Sequence, residues 1–242
     1  MSAIEIKALT KRYGDIVAVD GLSLSIEEGE LFSLLGVNGA GKTTTIKMLS
    51  CLVTPTSGDA LLLGKSILTD AAEVKSAIAV SPQETAVAPG LTVHENLALI
   101  CGVYGFTKEK RAMKMAELTE LLGLAPVLDR RAGKLSGGWQ RRLSIAMALI
   151  SEPKILFLDE PTLGLDVIAR SDLWEMIRAL KGKVTVILTT HYMEEAEALS
   201  DRVAIMRDGK LLLCDTVQKI KDAAGTSDFE EAFIRIVKGV TV

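Results

Sequence analysis

Cysteine is scarce, and its placement matters more than its number. Cys51, Cys101 and Cys214 are the only three, and they lie fifty residues or more apart. No C-x-x-C pair exists, which excludes the usual zinc spacings and a disulfide framework and makes a reducing compartment the default. Charge of one sign is missing too. Lys plus Arg is 28 and Asp plus Glu is 31, a net charge of −3, so no basic excess points to nucleic acid. Long hydrophobic runs are also absent. Mean hydropathy is high at +0.30, yet the longest apolar run, Leu97 to Phe106, falls far short of the roughly 18 residues a spanning helix needs. The opening MSAIEIKALTKRYG has no apolar core of the kind a signal peptide requires. What remains is an ordinary globular composition, 48% hydrophobic, 24% charged and 4% aromatic, which excludes a largely disordered chain. At 242 residues the chain makes one large domain or two small ones and buries about 70–75% of its unfolded surface, enough to fold without a staple.

Along the first thirty residues apolar positions alternate: Ile4, Ile6 and Ala8, then Val17 and Val19, then Leu22, Leu24 and Ile26. With Gly14, Gly21 and Gly29 between them, they predict short antiparallel strands. Leu31–Leu35 is a continuous apolar run, expected of a strand buried on both faces. A helix is expected over 43–52, a strand over 59–63, and a helix followed by a strand over 70–81. Three helical segments, 92–105, 108–122 and 137–150, follow with little strand between them. Strands resume at 155–158 and 184–189 around a helix at 166–180, and this alternation predicts a parallel sheet. The end, 201–242, reads as two short strands, a helix and a polar tail.

Gly36-Val-Asn-Gly-Ala-Gly41-Lys42-Thr43-Thr44 fits G-x-x-x-x-G-K-[ST] between a predicted strand and a predicted helix, the context that motif requires. Glycines let backbone N–H groups curl around phosphate oxygens, and the helix N-terminus adds positive potential. Lys42 is placed to reach the β- and γ-phosphates and the Thr43 hydroxyl to hold Mg²⁺. Further on, Ile155-Leu-Phe-Leu-Asp159-Glu160 carries two acids at the end of a buried strand, where ligands bind in open α/β sheets. Asp159 suits a Mg²⁺ ligand and Glu160 a general base, since neighbouring side chains on a strand point opposite ways. Leu135-Ser136-Gly137-Gly138-Trp139-Gln140 opens a helical segment. Alone it reads as a plain N-cap; between the other two motifs it reads as an anion site.

Order and spacing of these motifs resemble the nucleotide-binding domain of ATP-binding-cassette (ABC) transporters over nearly the whole chain. The resemblance implies an α/β fold: a P-loop NTPase core with a mainly parallel sheet (1–85 and 151–215), an N-terminal antiparallel β-subdomain, an inserted α-helical subdomain at 86–150, and a C-terminal helix and tail at 216–242. It implies ATP and Mg²⁺ as cofactors. Tyr13 would stack on adenine; Asn38, Gly39, Ala40, Gly41, Lys42, Thr43 and Thr44 would hold the phosphates. Thr43, Gln83 and Asp159 would serve the metal, and Gln83 would sense the membrane partner. Glu160 would be the catalytic base, and His191 would touch the γ-phosphate. Ser136, Gly137 and Gly138 would reach the γ-phosphate bound by a second subunit, and Asp166 would bridge the two. Trp139 stands where the family most often has Gln. His94 matches no motif and is expected to be a surface or helix residue.

Thr189-Thr-His-Tyr-Met-Glu-Glu-Ala-Glu197, Leu91–Leu97 and Phe229–Arg235 look like the drug-, sodium- and polysaccharide-export branch. The expected activity is ATP hydrolysis powering transport through a separate polytopic permease chain. The expected partners are a second copy or a paralogous ATP-binding subunit and that permease, with no nucleic acid. The location would be cytoplasmic, peripheral on the inner face of the membrane. The rival reading is a soluble ABC ATPase, such as one serving iron–sulfur assembly. A relic binding module is disfavoured by Glu160 and His191, and a P-loop kinase or GTPase by Ser136–Gly138.

Overall fold

The structure, a computed structural model, describes residues 2–239. Two long strands, β1 (Ser2–Tyr13) and β2 (Ile16–Glu27), pair antiparallel. With β4 (Ser57–Leu62) and β5 (Lys65–Ser66) they form a four-stranded sheet in the order β2-β1-β4-β5. The first two strands run 12 residues each, longer than expected, and the alternation breaks at Ala8. Ile4 and Ile6 are buried, but Ala8 is exposed at φ 48° and Leu9 takes the inward position. The pairing with β2 shifts register between Ile6 and Leu9. This is a bulge, in which one extra residue re-aims every side chain after it.

The second sheet has the order β10-β9-β3-β8-β7-β6. Its strands are β3 (Leu31–Gly36), β6 (Ile78–Ser81), β7 (Ile155–Asp159), β8 (Thr185–Thr190), β9 (Arg202–Arg207) and β10 (Lys210–Asp215). All neighbours are parallel except β10, which pairs antiparallel at the edge. Every residue of β3, β7 and β8 is buried, as expected of parallel strands covered on both faces. Successive side chains divide between two cores. Phe32, Phe157 and Ile187 pack beneath the antiparallel sheet with Ile4, Leu22 and Ile46. Leu156, Leu158, Val186 and Leu188 pack on the other side with Leu97, Leu118 and Leu143.

Those last three residues come from helices α3 (Val93–Val103), α4 (Lys108–Leu121) and α5 (Gly137–Leu149). The remaining helices are α1 (Lys42–Leu49), α2 (Ala71–Ala77), α6 (Val167–Arg178) and α7 (Met193–Leu199), then α8 (Val217–Ala224) and α9 (Phe229–Lys238). α1 stops before the expected residue 52, since Cys51 turns to φ 56°. The C-terminal reading is also corrected. Two helices stand where one helix and a polar tail were expected, and α9 sets Phe229, Ala232 and Phe233 against Leu35, Val203 and Ile205. Its acids and bases mask that i, i+3, i+4 stripe when read as composition alone. Residues 240–242 of the expected tail lie outside the described residues. Among the described residues no helix is long and apolar enough to cross a membrane.

Phe157 is fully buried on β7, two residues before Asp159. Phe157→Ala is expected to cost about 3–5 kcal/mol of stability, measured by urea unfolding of the purified chain.

Candidate active site

Four parallel strands deliver the site to one edge. β3 ends in the glycine loop, β6 precedes Gln83, β7 ends at Asp159, and β8 precedes His191. In the loop, Gly41 sits at φ 100° as the N-cap of α1, with no side-chain cap. A Cβ there would come within 2.5 Å of the Ala18 carbonyl oxygen, so glycine alone fits both the backbone and the space. The first N–H groups of α1 have no intrahelical acceptor and lie at the positive end of the helix dipole. Lys42 is buried, and its Nζ donates to the carbonyls of Gly36 at 2.7 Å and Val37 at 3.2 Å. Glu160 Oε1 lies 3.5 Å from the same ammonium. Burial pushes the Lys42 pKa down, while the neighbouring Glu160 and Asp159 carboxylates oppose that shift.

The two adjacent acids have different partners. Asp159 Oδ1 accepts from Thr43 Oγ1 at 3.1 Å and from Thr189 Oγ1 at 2.5 Å. The Glu160 backbone N–H donates to Thr189 Oγ1 at 3.0 Å. Glu160 itself adopts φ 49°, rare for a residue with a side chain, and its Oε2 lies 2.7 Å from His191 Nδ1. A cavity of about 660 Å³ is lined by Tyr13, Asn38, Gly39, Ala40, Gly41, Lys42, Thr43, Thr44, Gln83, Glu160 and His191. Tyr13 is half exposed at its rim, with the Lys11 ammonium 5.0 Å from the ring centroid. Asp159 lies directly behind Thr43.

Ser136, Gly138 and Asp166 line a different cavity, of about 490 Å³, together with Trp139 and Asp172. Gly137 adjoins it at the head of α5, where a Cβ would meet Leu165. Ser136 holds the N-cap position of α5 but makes no side-chain cap bond, unlike the plain N-cap that the motif alone would give. Asp166 does cap its own helix, accepting from the Ala169 N–H at 2.9 Å. The Arg142 guanidinium lies 4.6 Å from the Trp139 ring centroid and donates to Asp172 of α6 at 2.7 Å. His94 is exposed on α3, as expected.

Two residues at the site escaped the motif reading. Thr189 joins both acids, and its only signal in sequence was its place two residues before His191. Arg141 is buried on α5 and donates to the carbonyls of Pro82 at 2.6 Å and Gln83 at 2.5 Å. It thus ties the segment carrying Gln83 to the helix that begins at Ser136.

A glycine loop closing onto a helix, with an acid-ended strand one place beyond its neighbour in the same parallel sheet, defines the P-loop nucleotide-binding class. Within that class the chain belongs to the ABC transporter family, whose model matches residues 19–163. It is 38% identical to the probable multidrug ABC transporter ATP-binding protein YbhF of Escherichia coli over 98% of this chain. The alignment spans only 42% of that relative's length. It is 42% identical to the Nod factor export ATP-binding protein I of Burkholderia orbicola, over 87% of this chain and 69% of that protein. Among solved structures, an ATP-binding subunit of an ABC transporter superposes with a TM-score of 0.85 at 26% identity, covering 97% of this chain and 99% of that one.

Arg141 supplies two charge-assisted hydrogen bonds of the kind worth roughly 1.5–3 kcal/mol each. Arg141→Ala, which leaves both carbonyls without their donor, is expected to cost roughly 3 kcal/mol of stability, measured by urea unfolding.

Proposed function

We propose that this chain is the ATP-binding and ATP-hydrolysing subunit of an ABC exporter, powering transport through a separate membrane-spanning permease. The observation that carries the reading is the joining of Lys42, Thr43, Asp159, Glu160 and His191 at one sheet edge, through contacts of 2.5–3.5 Å. The Thr43 hydroxyl and Asp159 carboxylate are hard oxygen donors of the kind Mg²⁺ takes, and the glycine loop fits a triphosphate. These residues would hold Mg²⁺, which when bound would supply positive charge to offset the negative charge of the phosphates. Tyr13 would lie against adenine and Asn38–Thr44 against the phosphates. Glu160, directed by His191, would accept the proton of the attacking water, and Gln83 would line the water's side of the cavity.

A second copy, or a paralogue, would supply Ser136–Gly138 and Asp166. The uncapped Ser136 supports this, as do the exposed apolar Val167 and Ile168 at the head of α6. The division proposed within the chain is an α/β core over 1–85 and 151–215, a helical part over 86–150, and the C-terminal helices beyond 216. The permease would dock in a groove of about 470 Å³ lined by Leu52, Ile78, Pro82, Val103, Tyr104 and Met147. Leu52, Val103 and Tyr104 are more than half exposed there. Pro82 belongs to this groove and Gln83 to the nucleotide cavity, so a docked helix would press on the segment that Arg141 grips. Export as the direction rests on a relative named for Nod factor export. The chain would sit on the cytoplasmic face of the membrane.

Glu160→Gln removes the base and keeps the shape. Turnover should fall by roughly 10²–10⁴-fold with ATP affinity retained, and unchanged turnover overturns the assignment. Val103→Glu should abolish co-purification with the permease, while the ATPase rate of the isolated chain stays within about twofold, since an exposed substitution remote from the site leaves its chemistry alone. Undiminished capture of the permease by this variant would rule out the groove.

A further inference from the structure

Glu195 lies in α7, four residues beyond His191, and its side chain is fully buried. Its Oε1 accepts from Trp174 Nε1 of α6 at 3.2 Å. Its Oε2 makes no hydrogen bond. Thr190, at the end of β8, and Thr162, in the turn after Glu160, both face the carboxyl. Thr162 is also buried, and its Oγ1 likewise has no partner. Only three buried side-chain polar atoms among the described residues lack a hydrogen bond, and two of them are these neighbours. Burying unpaired polar atoms is costly, so these adjacent oxygens call for one hydrogen bond between them, with either the Thr162 hydroxyl or a protonated Glu195 as donor. Burial raises the Glu195 pKa, while the Thr190 and Thr162 hydroxyls and the Trp174 N–H favour the carboxylate and oppose the rise, and the nearby Glu160 adds to it. A protonated Oε2 can donate to the Thr162 hydroxyl, satisfying both atoms with a small side-chain adjustment.

The turn that Thr162 occupies runs directly from Glu160. Leu163 N–H donates to the Glu160 carbonyl at 3.2 Å, and Leu165 N–H to the Thr162 carbonyl at 3.1 Å. Asp166 follows at once. Glu160 at φ 49° persists only if its surroundings hold it there. His191 holds the Glu160 carboxylate from the cavity side, and Thr189 holds its N–H. The turn itself has Glu195 beneath it.

We infer that Glu195 is a positioning residue which, through Thr162 and Trp174, fixes the turn after Glu160 and so aims the Glu160 carboxylate and sets Asp166. Four elements meet on this one carboxyl: the helix after His191, the end of β8, the turn after Glu160, and the helix that Asp166 caps. The inference rests on Glu160 being the base.

The test uses the purified full chain with Glu195→Leu, Glu195→Gln, Thr162→Val and the Thr162→Val/Glu195→Leu double variant. Glu195→Leu should lower kcat roughly 10- to 100-fold, as expected when a buried hydrogen-bonding group is removed, while the KM for ATP changes less than about threefold, the sign of misaligned chemistry rather than lost binding. Glu195→Gln should stay within about threefold of the unsubstituted chain, since its amide both donates to Thr162 and accepts from Trp174. Thr162→Val should lower kcat in the same sense, and the double variant should be no slower than the worse single one, as for groups in one network. A purely structural role would lower the amount of folded protein without splitting kcat from KM. A folded Glu195→Leu with normal kcat overturns the inference, as does a Gln variant as slow as the Leu variant or a double variant whose losses multiply. If Glu195→Leu does not fold, Thr162→Val decides alone, and normal turnover there overturns it. Glu160→Gln run alongside separates the two readings. If it retains turnover, the base assignment has failed; if it is inactive and the Glu195 variants are normal, only this inference has.

Discussion

Asp159 accepts from Thr43 and Thr189 through a single oxygen, and the rest of the site is arranged around that shared atom. It joins the head of α1, the end of β7 and the end of β8, three elements far apart in sequence. Thr189 then passes the linkage on by accepting from the Glu160 N–H. A carboxylate this deeply buried is tolerable because two hydroxyls donate to it and because Lys42 and Arg141 lie in its field. Without that junction the glycine loop and the acidic strand end would be neighbours with no fixed spacing, and the Glu160 N–H would lose the Thr189 hydroxyl that receives it.

The neighbouring acids show how local geometry divides labour between like residues. Asp159 finishes the strand and turns back toward the loop. Glu160, one residue on, leaves strand geometry altogether at φ 49° and meets His191 and Lys42. A third acid, Glu195, lies behind them with an indole N–H and two hydroxyls for company. Three carboxyls within one small region thus face three sets of partners: two hydroxyls for Asp159, an imidazole and an ammonium for Glu160, and an indole N–H with two hydroxyls for Glu195.

Much of this could be read in advance wherever the determinants are local. The glycine loop is a contiguous string, and Asp159 and Glu160 end a run of four apolar residues. The helices over 93–103, 108–121 and 137–149 announce themselves by period and by flanking glycine and proline. What stayed hidden depends on pairing across the chain. The Ala8 bulge exists because β1 must match β2 and β4 at once, and alternation in one strand carries no trace of that. The second C-terminal helix buries its stripe against β3 and β9, so its charged face dominates when read alone. Arg141 reaches Gln83 across 58 positions and Thr189 reaches Asp159 across 30. Nothing in either residue type distinguishes these contacts from ordinary ones before the sheet order is known. The site was legible as motifs; the bonds that hold the motifs in register were not.

The grip of Arg141 on the carbonyls of Pro82 and Gln83 has a mechanical consequence. Between Gly137 and Arg141 the axis of α5 advances only about 6 Å, at roughly 1.5 Å per residue. Pivoting that segment by about 10° moves one end relative to the other by about 1 Å, enough to take a short hydrogen bond out of its working range. So short an arm cannot stretch in proportion to a load. It holds or it lets go, and the strand-end segment and the head of α5 are either carried together as one rigid piece or released from each other, with little in between.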